Sequence, residues 1–248
     1  MKLAIMQPYF FPYLGYFQLI RSVDKFILFG KINHIKKGWV NRNRLLVKNQ
    51  GFVLCPVPLI KPSIFKKISE LEIDDSKPWR TKLKKHLQIH YSKAPMFREV
   101  YPFLNRLIDY QTNSLYELNA HIITSVCEYL GIQTLICQDN TTYQHIEEKL
   151  KDASYLDQYP GLDRKNVRVI EICRYEGACE FHNAIGGMQL YSGKVFSEYG
   201  ISIKFIKTDQ VIYKQFDNEF IANLSIIDVM MFNDTSRIAA MLEQYALV

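Results

Sequence analysis

The chain carries few of the signatures that mark common enzyme chemistries. Its 248 residues contain neither GxGxxG nor GxxxxGKS/T, so nothing supports a dinucleotide fingerprint or a P-loop phosphate cradle. HExxH is missing, and the one metal-capable spacing, His86 and His90 a helical turn apart, has no evident third ligand, so no metal site is expected. No GxSxG elbow and no Ser-His-Asp order points to a serine nucleophile. Five cysteines (Cys55, Cys127, Cys137, Cys173 and Cys179) form no CxxC pair and read as reduced core thiols. Long apolar runs are absent, and the four apolar residues before Gln7 are too few for a signal segment. The expectation is a cytoplasmic protein with no membrane partner, and the oligomeric state is left open.

Aromatic residues and cations are what the chain has in quantity. Sixteen Tyr and 15 Phe exceed the ordinary share and suit a pocket, a nucleic-acid surface or a Phe/Tyr core. The net charge is a modest +6, but residues 31–44 hold five cations and no acid, and residues 61–85 are lysine-rich. That bias favours an anionic partner such as a phosphate or nucleotide, with RNA as an alternative.

Lys2–Met6 reads as a buried strand stopped by Gln7 and Pro8, residues 14–23 as a helix, and residues 25–29 and 52–57 as further strands. Apolar residues recur at helical spacing over 78–130, with Pro95 and Pro102 as breaks and Gly131 as a stop, which predicts a helical insertion of two to four helices. Alternation then resumes, with strands at 134–137, 179–182 and 201–206 and helices ending at Gly177 and Gly200. Residues 140–162 are polar and read either as a mobile segment over the site or as a short helix at 145–151. Helices at 224–232 and 236–245 close the chain. The reading is a single α/β domain over 1–248, with an open, mostly parallel, Rossmann-like sheet of five or six strands. Ligands of such sheets bind beyond the carboxyl ends of the strands, near the switch in strand order.

Two strings near the N-terminus carry the candidate site. QPYFFPYLGYF puts aromatics and prolines where a Rossmann-like protein has glycines, and reads as a shaped aromatic wall including Gln7 and Tyr9. KKGWVNRNR, residues 36–44, combines four cations, two amides and an indole. Lys36, Lys37, Arg42 and Arg44 would hold a pyrophosphate, Gln7, Asn41 and Asn43 a sugar or base, Trp39 or Tyr9 would stack, and Asn33 and Asn183 are further binding candidates. Extended backbone would put Arg42 and Arg44 on one side and Asn41 and Asn43 on the other, whereas a helix would splay the arginines by about 200°. Candidate general bases are His34, His182 and Asp228. Ser225 and Asp228 also have the S/T-x-x-D/E spacing of a helix cap, which is the favoured reading of that pair.

With these strings, PVP at 56–58, LGI after Tyr129, the pair Ile172-Cys173, YKQF and LSIIDVMMFN, the chain resembles the WbqC-like family along nearly its whole length. The resemblance implies a role in bacterial O-antigen or other surface-polysaccharide biosynthesis. It further implies a transferase that attaches an amino acid such as glycine to the amino group of a nucleotide-linked 4-amino-4,6-dideoxy sugar. The activated acyl donor would be an aminoacyl-tRNA, a thioester or an ATP-derived adenylate, and no permanently bound cofactor is expected. Alternatives are an AMP-forming amide ligase and a non-catalytic module binding RNA or a protein partner. One departure stands out: the acidic stretch expected ahead of KKGW is replaced by Gly30-Lys31-Ile32-Asn33.

Overall fold

The computed structural model describes every residue except Asn140 and Asn218. Its centre is a six-stranded sheet built from β1 (Lys2–Met6), β2 (Lys25–Leu28), β5 (Leu135–Cys137), β6 (Glu180–Ala184), β7 (Ser202–Thr208) and β8 (Tyr245–Leu247). The spatial order is β5-β2-β1-β6-β7-β8, parallel throughout except for the antiparallel edge strand β8. The order reverses between β1 and β6, which makes the carboxyl ends of these two strands the switch point. Leu3, Ala4 and Phe181 lie fully buried in them, as sheets covered on both faces require.

Helices cover both faces. On one side α1 (Leu14–Arg21), α2 (Trp79–Tyr91), α3 (Phe97–Ile108), α4 (Leu115–Tyr129), α9 (Ile226–Phe232) and α10 (Thr235–Met241) share a core with Phe17, Ile20, Phe26 and Leu28. On the other, α5 (Gln144–Lys149), α7 (Arg164–Glu176) and α8 (Gly193–Glu198) pack with Leu3, Ile27 and Phe181. Side chains set several helix starts: Ser114 accepts from the amide of Glu117, and Asp163 from those of Lys165 and Asn166. Gly177 closes α7 with φ 66°, a conformation that costs glycine least.

Three expectations need correcting. The strand β4 (Gly51–Pro56) stays out of the main sheet and pairs antiparallel with β3 (Arg42–Val47) in a separate hairpin. Pro102 breaks nothing: it sits inside α3, where burial of Val100, Leu104, Leu107 and Ile108 outweighs the lost backbone bond. The last expected helix stops at Met241, and the chain turns back as β8. Within 140–162, Asn140 lies outside the described residues; of the two readings the short helix is the one found, as α5, followed by α6 (Ala153–Leu156), and Tyr143, Ile146, Leu150 and Tyr159 are buried in the core.

Candidate functional site

A cavity of about 530 Å³ opens at the switch point. The loop after β1 supplies Tyr9 and Tyr13, α1 supplies Gly15, and the hairpin and the turn before it supply Trp39, Asn43 and Arg44. The segment after β6 adds Ala184, Ile185 and Gly186, β7 adds Ile206, Lys207 and Thr208, and Asn223 closes the rim. Both charged side chains in this lining are cationic. The amino end of α1, which has no side-chain cap and no acid in its first turn, adds partial positive charge at Gly15.

The hairpin follows the extended reading, and its alternation sorts the KKGWVNRNR residues by role. Arg42 and Arg44 both lie against Trp39, with guanidinium carbons 6.0 and 5.6 Å from its ring centroid. Arg44 is also 5.1 Å from the ring of Phe52, and donates to the carbonyl of Asn223 at 2.7 Å. Its Nε is buried with no hydrogen-bond partner among the described residues, a donor left unspent beside the cavity. Arg42 instead donates Nε and Nη2 to the carbonyls of Gly38 and Lys37 and does not line the cavity, which sets it apart from Arg44.

The asparagines are structural pins. Asn43, buried on the opposite side, donates to the carbonyls of Phe10 at 3.1 Å and Phe11 at 2.6 Å. Phe11 adopts φ 41°, a strained value for an aromatic residue, and its carbonyl accepts a second bond from Ser225 Oγ at 2.8 Å. Asn41 holds the carbonyl of Val57, and Asn33 accepts from Lys67 Nζ. Asn183 accepts from the amide of Ala184 and packs against Gly187, shaping the β6 rim. Lys36 and Lys37 are exposed on the outer turn, and the carbonyl of Gln7 accepts from Tyr16. None of these residues except Asn43 lines the cavity.

None of the three expected bases reaches the cavity either. His182 lies within β6 opposite Ala4, with Nδ1 bonded to Ser22 Oγ at 2.9 Å and Nε2 to Glu180 Oε1 at 2.6 Å. His34 is buried beside the outer turn, and burial holds both imidazoles below their ordinary pKa. Asp228 is fully buried and accepts from Tyr213 at 2.6 Å, Gln215 at 2.8 Å and Tyr91 at 2.9 Å. Burial pushes its carboxyl up to about 6, against the downward pull of those three bonds. The cap reading therefore holds for Ser225, which accepts from the amide of Ile227, while Asp228 turns inward and clasps the loop ahead of α9. Burial likewise pushes the thiols of Cys127 and Cys173 up to about 12, leaving them unreactive.

A second chamber of about 270 Å³ abuts the first and shares Gly15, Thr208 and Asn223 with it. Its other walls are largely apolar, from Leu14, Val211, Phe220, Leu224 and Val229, and among the described residues its one charged lining side chain is Asp209. The wall between the chambers is tight. Thr208 Oγ1 donates to the buried Gln18 at 2.7 Å, and a Cβ at Gly15 would fall 2.7 Å from that oxygen and 2.6 Å from the Tyr13 ring. The charged side chains lining the two compartments thus differ in sign, Arg44 and the exposed Lys207 in the larger and the exposed Asp209 in the smaller. Lys207, Thr208 and Asp209 were missed by sequence reasoning, although the rule that pointed beyond the other strands applies equally to the end of β7. Asn223 offered no signal.

A family model described as the WbqC-like protein family matches residues 7–240. The chain is also 30% identical over 235 residues to the uncharacterized protein Rv1507c of Mycobacterium tuberculosis, covering 94% of this chain and 93% of that one. No solved structure matches.

Proposed function

The chain belongs to the WbqC-like protein family, and from that membership we propose that it is an acyl or aminoacyl transferase acting on a nucleotide-linked amino sugar in bacterial surface-polysaccharide synthesis. The observation that carries this reading is the pair of abutting chambers whose charged lining side chains differ in sign, which suits two substrates meeting at one wall. In the larger, Arg44, Lys207 and the amino end of α1 would hold the pyrophosphate, and Trp39, Tyr9 and Tyr13 would pack on the base or sugar. Burial pushes the Tyr9 phenol up to about 12, so this wall is neutral and adds no negative charge against a diphosphate.

The sugar's 4-amino group would lie at the wall of Gly15, Thr208 and Asn223, with the acyl group of the donor in the smaller chamber. The amine nitrogen attacks the acyl carbon, an amide bond forms, and the bond to the donor's leaving oxygen or sulfur breaks. The ammonium must shed a proton in this step, and the exposed carboxylate of Asp209, which lines the smaller chamber, would take it in place of His34, His182 and Asp228. The developing oxyanion would face the amino end of α1 at Gly15, where the helix carries partial positive charge.

The test has two parts. Calorimetry with uridine- and thymidine-diphosphate sugars reports on the larger chamber, where no affinity for either would remove the sugar-nucleotide reading. Mass analysis of the amino-sugar nucleotide after incubation with each donor class reports on transfer. An adenylate-forming ligase would instead release pyrophosphate only with amino acid and ATP together, and a binding module would bind without any change in mass.

A further inference from the structure

Residues 25–69 contain ten Lys and Arg and no acid, the longest one-signed stretch of the chain, and only part of it serves the cavity. Two loops from this stretch project side by side. Their bases are joined by the amide of His34 to the carbonyl of Lys66 at 2.9 Å, the amide of Ile68 to the carbonyl of Ile32 at 3.0 Å, and Lys67 Nζ to Asn33 Oδ1 at 2.7 Å. Each tip is a fixed turn, closed by the amide of Gly38 to Ile35 in one and the amide of Lys66 to Ser63 in the other. Lys37 and Lys61 hold left-handed backbone, with φ 63° and 42°.

The tips display large apolar side chains. Phe65, 83% exposed, is the most exposed large hydrophobic residue among the described residues, and Ile35, Ile60 and Ile64 are exposed beside it. Among the described residues none of Lys36, Lys37, Lys61 and Lys66 has an ion pair.

We propose that these two tips seat the protein on an anionic membrane surface, with Phe65 and the isoleucines entering the boundary between headgroups and acyl chains and the lysines meeting lipid phosphates. Unpaired lysines around protruding apolar side chains match both components of such a surface. A single-stranded RNA would use the charge but gains nothing from isoleucine, which offers no face for a base to stack on. A second copy of this chain, docked through the same patch, would bring like charges together. Contact would be peripheral, because no helix among the described residues is long and apolar enough to cross a bilayer. Trp39 follows the first tip directly and lines the cavity, so seating would bring the cavity mouth toward the lipid surface. This inference stands independently of the transfer reaction.

Flotation of the full chain with phosphatidylcholine vesicles, with and without phosphatidylglycerol, tests it. The expected result is binding only when the anionic lipid is present, with the double variant Ile64→Ser, Phe65→Ser and the triple variant Lys36→Glu, Lys37→Glu, Lys61→Glu each weakening it about tenfold or more. All of these side chains are exposed, so the variants should melt with the parent. Absence of binding to anionic vesicles overturns the proposal. So does full binding by the Ser variant together with displacement by poly(U), which would make the patch a polyanion surface. Self-association lost in the Ser variant, without vesicle binding, would make it an interface between copies.

Discussion

Asn43 Nδ2 donates to the carbonyl of Phe11 at 2.6 Å, and that bond ties the aromatic loop after β1 to the hairpin that carries Arg44. Neither string forms the cavity alone; the loop brings Tyr9 and Tyr13, the hairpin brings Arg44, and Asn43 fixes one against the other. Asn43→Ala should therefore lower unfolding free energy by about 1–3 kcal/mol, since it orphans buried carbonyls. Chemical denaturation measures this, and a loss below that range would mean that Ser225 alone holds Phe11 in its strained conformation.

Two arginines that look equivalent in sequence should behave differently. Arg44→Met removes the donor facing the cavity, and calorimetry with a nucleoside-diphosphate sugar should show affinity down about 10- to 100-fold, the range of a charge-assisted bond. Arg42→Met loosens the turn at residues 37–38 and should change affinity only a few-fold. Equal losses in the two variants would contradict the placement of the anion at Arg44.

Gly15→Ala drives a methyl group into Thr208 Oγ1 and the Tyr13 ring, at the wall shared by the chambers. The expected result is a fall in turnover of about 100-fold or more, with nucleotide affinity reduced much less, because misplacement at the reacting centre costs more than loss of a remote contact. Steady-state kinetics would separate these effects.

Asp228 supplies a pH signature in stability. Its folded-state carboxyl titrates near 6, above the ordinary carboxylate value, so the folded chain binds this proton more readily than the unfolded chain does. Relative to Asp228→Asn, the parent should gain stability as pH falls from 7 toward 4, by about 1.4 kcal/mol per unit below the folded pKa. That gain is lost as pH rises through about 6. A pH-independent difference between the two proteins would show that Asp228 does not titrate in this range.

The parallel core was legible because its strands are short apolar runs with clear stops: Lys2–Met6 ends at Gln7 and Pro8 as read, and Gly177 ends α7. The extended arginine string was legible from a spacing of two. Which arginine faces the cavity was not, because that depends on Ala222 and Asn223 arriving from far along the chain. His182 misled for a related reason. Its apolar run ends there in the sequence, but β6 runs two residues further and Ser22 and Glu180 occupy both ring nitrogens. The edge strand β8 is one half-buried residue and two exposed ones with no period to read, and Pro102 stays helical because the core contacts of α3 outweigh its local cost.

The central claim is that two substrates meet at the wall of Gly15, Thr208 and Asn223, with Asp209 taking the proton. The most direct measurement is the mass of a 4-amino-sugar nucleotide after incubation with the parent and with Asp209→Asn in the presence of each donor class. The account predicts a mass gain equal to one acyl group from one donor with the parent, and a rate lower by about 100-fold or more in the variant, the usual loss when a general base is removed. A nucleotide sugar that binds yet gains no mass with any donor, or that is acylated equally fast by both proteins, would contradict it.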